Sequence, residues 1–318
     1  MNETDKRKYY NTYRALYNRL VKEFTPKIEA TIRQQIKFFT HSYTQHPYLT
    51  PDVIPSRPMR VALKKVYIVA GLSNATKVFR SIKAQTKASS RDDKWTWVIA
   101  EYLKTNGLDK VSIDITETLK DKIKQEIIKG HEQGWGVDKI VRNLNEAEFP
   151  NWMAKRIVRT ELNKASNIGA MVAAADLDIE VQKEWLSAQD DRTRRIPRDQ
   201  YDHLDMNGKT VGFAERFIVP STKTVDAMLH PGDPDASVGN LVNCRCTLVF
   251  VPIRTRQGDL VSIETGKPTE VGDLISEGGG VATINQTRTN IFTQLLREVA
   301  TIEITQFLIN HILNDEND

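Results

Sequence analysis

No stretch of this sequence stays apolar for the roughly 18 residues that a membrane helix needs. The longest apolar runs, such as AMVAAA (170–175) and LVFVPI (248–253), fall far short of that. The opening MNETDKRKYYN has no apolar core of the kind a secretory signal requires. Cysteine is nearly missing: 2 in 318 residues, too few for a disulfide framework. These absences predict a soluble chain without a membrane span, made in the cytoplasm. There is no Ser-His-Asp setting and no G-x-S-x-G elbow. GGG at 278–280 precedes no P-loop lysine and reads as a hinge. Helix-turn-helix, zinc-finger and RNA-recognition signatures are absent too. The common catalytic classes and sequence-specific DNA readers are thereby disfavoured, and the expectation is a protein that is not an enzyme.

Acid is missing from one long stretch. Between Val53 and Arg91 there is none, while Arg57, Arg60, Lys64, Lys65, Lys77, Arg80, Lys83, Lys87 and Arg91 all fall there. Residues 1–91 hold 18 basic against 5 acidic side chains; the remainder holds 27 against 36. The modest net charge of +4 conceals that asymmetry. A basic first third suits a polyanion or an acidic partner surface, or else a solvated helix face. DNA held this way would be gripped by its phosphates, without sequence preference and with strong salt dependence.

With 40% hydrophobic and 27% charged residues the chain has material for a core and much surface besides. Periodicity predicts helices over 4–40, with one face at Leu16, Leu20, Val21 and Phe24. Pro26 should open a second helix bearing Ile28, Ile32, Ile36 and Phe39. The stretch 40–58, rich in Pro, Thr and Ser, reads as a linker, and 59–91 as a basic helix. Ile115, Leu119, Ile123 and Ile127 mark another helix, with Gly130 as its C-cap. Val137, Ile140, Val141 and Leu144 mark the next. A third runs from about Trp152 to Ala175 on Val158, Leu162, Ala165, Ile168, Gly169 and Val172. Glu161 lies on that apolar stripe, so it needs a partner. Arg159 points away from it on an ideal helix. A structural ion pair is one reading of Glu161; a catalytic acid or base, with Arg159 beside it, is the other.

Beyond 178 the period changes to two in IEVQKEW, and FAERFIVP and CTLVFVP read as further strands separated by polar loops. The fold class is α+β: a mainly helical N-terminal half, then a small sheet with long loops, then an amphipathic C-terminal helix on Ile291, Leu295, Val299 and Ile302. The expected divisions are 1–58, a basic helical arm and linker; 59–111, a basic helical region; 112–253, the α+β domain; and 254–318, a flexible segment with the last helix.

Both cysteines sit in NLVNCRC, two apart. On a strand their side chains would share a side near 7 Å apart, too far for a disulfide, whose Cβ atoms lie about 3.8 Å apart. Cys244 and Cys246 are either two small buried thiols or part of a structural zinc site completed from other loops. The candidates for completion are His203, His230 and the pair Asp190/Asp191. DHLDMNG followed by NLVNCRC also has the flavour of an HNH nuclease, with Asp202 and His203 as base and Asn240 as organiser.

The segments RIVRTELNKASNIGA, KEWLSAQDDRTR, DHLDMNGKTV and NCRCTLVFVP, in this order, resemble the phage Mu protein F-like family of tailed-phage head morphogenesis proteins. GHEQGWGVDKIVRNL is similar to that family's lead-in helix. The likeness covers about 110–253. It implies a minor capsid protein of the virion, acting in head assembly and genome packaging, in contact with the portal, capsid or scaffold proteins and packaged DNA. It also implies that such a protein can leave the head with the DNA on infection. The positions carrying it are Arg159, Thr160, Glu161, Lys183, Trp185, Asp191, Arg194, His203, Gly208, Asn243, Cys244 and Cys246. Arg194 and His203 are nine apart, a longer gap than the resemblance implies.

Overall fold

A computed structural model of the chain describes residues 1–86, 108–177 and 179–261. The expected C-terminal helix and most of 254–318, together with Lys87 and Arg91, lie outside the described residues.

Helix α1 (Glu3–Gln45) is one continuous rod. Asn2 caps it by accepting from the Asp5 N–H at 2.8 Å. The expected break at Pro26 does not occur. Proline removes one helical donor, but Phe24 and Ile28 on either side of it are buried against neighbouring elements, and that packing carries the helix through. The same helix consumes the start of the expected linker, which shortens to about 46–56. Tyr9, Tyr10, Tyr13 and Tyr17 extend its buried face toward the N-terminus, where Leu16 and Val21 are only half-buried.

Helices α2 (Arg57–Thr86), α3 (Leu108–Glu132), α4 (Val137–Glu146) and α5 (Phe149–Ala175) follow. The end of α3 corrects the expected cap. Trp135 N donates to Gly130 O and Gly134 N to His131 O, with Gly134 left-handed at φ 68°. That is a Schellman closure with Gly134, not Gly130, at the position after the cap. Gly130 serves packing instead: a Cβ there would lie 2.7 Å from Ile140 of α4.

α5 is the centre of the molecule. From Thr160 to Ala174 every side chain is buried, as befits a helix enclosed on all sides. It packs against α1, α2 and the strand that follows the cysteines. Its small residues permit a close crossing with α2, where a Cβ on Gly169 would sit 2.1 Å from the Gly71 carbonyl oxygen.

Strand β1 (Val181–Leu186) lies between β2 (Thr210–Gly212) and β5 (Thr247–Pro252), both antiparallel to it. β1 is buried along nearly its whole length, so both its faces are covered. β3 (Phe217–Val219) pairs only with β4 (Asp226–Met228), in a separate two-stranded ribbon. FAERFIVP thus forms a strand as expected, but outside the sheet of β1. β2 and β4, three residues each, are too short for periodicity to reveal. A short helix α6 (Val238–Leu241) precedes the cysteines. The architecture is α+β, and one continuous core runs from Tyr9 to Phe250.

Substituting the two kinds of glycine separates their roles. Gly169→Ala has to push two backbones apart and should cost at least about 2 kcal/mol. Gly134→Ala faces open space and loses only the left-handed preference, about 1 kcal/mol. Urea unfolding midpoints of the two variants measure the difference.

Candidate metal centre

The turn 242–246, between α6 and β5, brings together groups from three parts of the chain. His203 reaches it from the loop after β1, and its Nδ1 lies 3.6 Å from the Cys244 sulfur and 3.6 Å from the Cys246 sulfur. The three ligand atoms fall within 4.8 Å of one another. All three residues are at most 2% exposed. On its other side, His203 Nε2 is 2.7 Å from Asn240 Oδ1, while Asn240 Nδ2 donates to Asp226 Oδ2 at 2.6 Å. Asp226 also accepts from the Ser237 N–H and hydroxyl. Burial alone would raise the Asp226 pKa; these hydrogen bonds outweigh it and hold the carboxyl below its ordinary range. The relay Asp226–Asn240–His203 was not foreseen from sequence, because Asp226 belongs to a strand too short to detect. Trp185 closes one side, its ring 5.5 Å from His203 and 5.4 Å from Phe217, edge-on to both.

The two thiols titrate apart. A hydrogen bond with Cys246 lowers Cys244, helped by nearby His203, whereas burial raises Cys246. Two bare thiolates cannot share so small a dry space.

The nine-residue gap does not displace His203. The N–H groups of His203 and Leu204 both donate to the Arg194 carbonyl at 3.0 Å, so the excursion 195–202 closes at its base. Arg194 in turn donates from Nη2 to the Val242 carbonyl. The other proposed ligands are elsewhere. Asp191 is exposed. His230 is buried with Nδ1 3.1 Å from the Pro231 carbonyl, and burial lowers its pKa. Close to it, Lys183 donates to the Leu229 carbonyl at 2.8 Å and lies over the Phe217 ring. Burial pushes that lysine down to about 7. Among the described residues only His203, Cys244 and Cys246 form a cluster of metal-ligating type. Asp190, the partner of Asp191 in the expectation, serves an ion pair instead. Arg245, between the cysteines, grips Asp190 with both terminal guanidinium nitrogens, Nη2 at 2.7 Å, and Arg14 of α1 adds a third contact at 3.3 Å.

The remaining signature positions hold this assembly together. Asn243 is left-handed at φ 58°, a conformation that Asn adopts more readily than most residues, and its N–H donates to Thr160 Oγ1 at 3.2 Å. The Arg159 carbonyl accepts from the Tyr17 hydroxyl at 2.9 Å. Glu161, 4% exposed, takes Lys164 at 2.9 Å on one oxygen and the Tyr67 hydroxyl at 2.5 Å on the other. Gly208 is left-handed at φ 82° and donates to the Trp185 carbonyl at 2.8 Å.

The nuclease geometry receives no support. A general base must reach its substrate, yet His203 is 1% exposed and both its nitrogens face protein groups. Asp202 spends its carboxylate on the Ile196 and Asp205 N–H groups.

A helical bundle closed onto a small antiparallel sheet through a buried Cys-His turn is thus the class that fold and site define. Residues 121–249, from within α3 to within β5, match the family described as Phage Mu protein F like protein. The chain is also 27% identical over 139 residues to the NAD(+)--arginine ADP-ribosyltransferase EFV of Enterococcus faecalis, covering 42% of this chain and 26% of that protein. It is 24% identical over 155 residues to the Uncharacterized protein YqbB of Bacillus subtilis, covering 48% and 45%. The chain therefore spans less than half the length of either relative. No solved structure matches it.

The Asp190–Arg245 pair makes a pH prediction. Arg245 holds the Asp190 carboxyl well below the usual carboxylate range, against the effect of burial. A folded pKa below the unfolded value of about 4 means that stabilisation is present above that pH and lost as pH falls through the folded pKa. Asp190→Asn should therefore cost about 1–3 kcal/mol at neutral pH. Its gap from wild type should narrow steadily as pH falls below about 4 and close only once the pH passes the folded pKa, as read by urea unfolding at a series of pH values.

Proposed function

We propose that this protein is a minor component of a tailed-phage head, acting in head assembly at the portal and lying against packaged DNA. The observation that carries the reading is the Mu F-like segment over 121–249. The charge distribution supports it. Along α2, Arg57, Arg60, Lys65, Arg80 and Lys83 are exposed, although Arg60 also meets Asp109 at 2.5 Å, and Lys64 is half-buried. Lys77 is turned inward, donating to the Tyr9 carbonyl at 3.0 Å and lying over the Tyr9 ring; burial pushes it down to about 7. The cations left outside suit a portal flank or the DNA phosphates rather than a base-reading interface. Among the described residues no helix is long and apolar enough to cross a membrane. The protein would be assembled in the host cytoplasm, carried in the head interior or portal region of the virion, and delivered with the DNA on infection.

A structural role is also favoured over a transferase one. The transferase activity belongs to the Enterococcus protein, of which only about a quarter is matched. Here Glu161, the carboxylate weighed for catalysis, is locked between Tyr67 and Lys164.

The experiment is co-assembly. Co-expressed with portal, scaffold and capsid proteins of its phage, the protein should co-purify with portal rings and be present in mature particles. The combined variant Arg57→Glu, Lys65→Glu and Arg80→Glu should lose most of its retention on heads or DNA. Any DNA affinity should fall with salt at a slope of about −0.9 per phosphate contacted. Absence from purified particles, or transfer of ADP-ribose from NAD to arginine, would overturn the reading.

A further inference from the structure

We propose that His203, Cys244 and Cys246 form a zinc(II) site that fastens the loop after β1 to the turn leading into β5. Zinc bonds of about 2.0–2.1 Å to nitrogen and 2.3 Å to sulfur, at a tetrahedral angle, separate N from S by about 3.5–3.6 Å. His203 Nδ1 is 3.6 Å from both sulfurs. A thiol hydrogen bond would draw one sulfur to the nitrogen lone pair and leave the other out. Two sulfurs equidistant from one lone pair suit a cation they all share.

The tautomer agrees. Asn240 commits its NH₂ group to Asp226, so Oδ1 is the atom it presents to His203 and the proton belongs on Nε2. The lone pair then lies on Nδ1, toward the sulfurs. A ligating histidine almost always donates its other ring N–H to an outer acceptor, and Asn240 Oδ1, itself fixed by Asp226, stands in that place here. Two thiolates and an imidazole select a borderline-soft ion such as zinc over magnesium or calcium. Three protein ligands leave a fourth position. Among the described residues no other Cys, His, Asp or Glu joins the cluster. Burial of all three ligands makes the role structural: the ion ties a loop excursion to a turn that has no disulfide to hold it. The site stands independently of the head-protein reading.

The test is elemental analysis of the full chain, purified without chelator from zinc-supplemented cells. About one zinc per chain is expected, falling to background in Cys246→Ser and His203→Gln. Because these variants can misfold, wild-type protein stripped with a chelator is also titrated with cobalt(II). The expected result is the visible absorption of tetrahedral cobalt with a thiolate charge-transfer band, both abolished by added zinc. Asn240→Ala, which leaves all three ligands in place, should bind zinc about 10–100-fold more weakly in competition with a chromophoric chelator. Metal-free wild-type protein with no cobalt spectrum would overturn the proposal. So would a cobalt spectrum that survives in a folded Cys246→Ser variant, which would place the metal elsewhere.

Discussion

The turn from Val242 to Cys246 carries two buried cysteines, and peptide groups withdrawn from water beside them must find hydrogen-bond partners. Much of the surrounding structure answers that constraint. The Cys246 carbonyl accepts from Asn163 at 2.8 Å and Asn167 at 3.2 Å, one helical turn apart on α5. The Arg245 carbonyl accepts from the Tyr10 hydroxyl of α1 at 3.1 Å. The Val242 carbonyl takes Arg194, and the Asn243 N–H takes Thr160. Thr247 then bonds Asn167 as the chain enters β5. α1, α5 and the polar loop are thus all bound to one short segment.

This explains why α5 is polar where it is most deeply buried. Asn163, Lys164, Ser166 and Asn167 would be costly in a purely apolar helix interface. Asn163 and Asn167 instead hold the turn and Lys164 neutralises Glu161, while Asn74 of α2 donates to the backbone carbonyl of Ser166 at 2.7 Å. It also explains why the Mu F-like segment does not stand apart from the first 86 residues. α5 is enclosed on all sides, and α1 and α2 supply much of the enclosure. The basic N-terminal third is part of the core on one face and a row of exposed cations on the other.

Several features were legible in the sequence because they depend on neighbours along the chain. The helices α3, α4 and α5 follow from spacings of three and four. β1 and β5 follow from alternation and β-branched content. Gly169 announced a close helix contact by being small on an apolar stripe. The misjudged places share a cause. Pro26 breaks an isolated helix but not one clamped by packing at Phe24 and Ile28. Gly130 looked like a cap because glycine near a helix end usually is one; the nearby side chain of Ile140 gave it a different purpose.

The sequence by itself determined the α+β class, the positions of the main helices, the charge asymmetry and the kinds of atoms available to a metal: two thiols and a few imidazoles. Tertiary structure alone decided that His203, and not His230 or Asp191, faces the thiols, and that Asp190 answers Arg245. It alone joined Asp226 to His203 through Asn240. Those contacts connect residues separated by 14 to 55 positions. Local periodicity has no term for such distances, and only the packing of loop, turn and sheet brings the groups within reach.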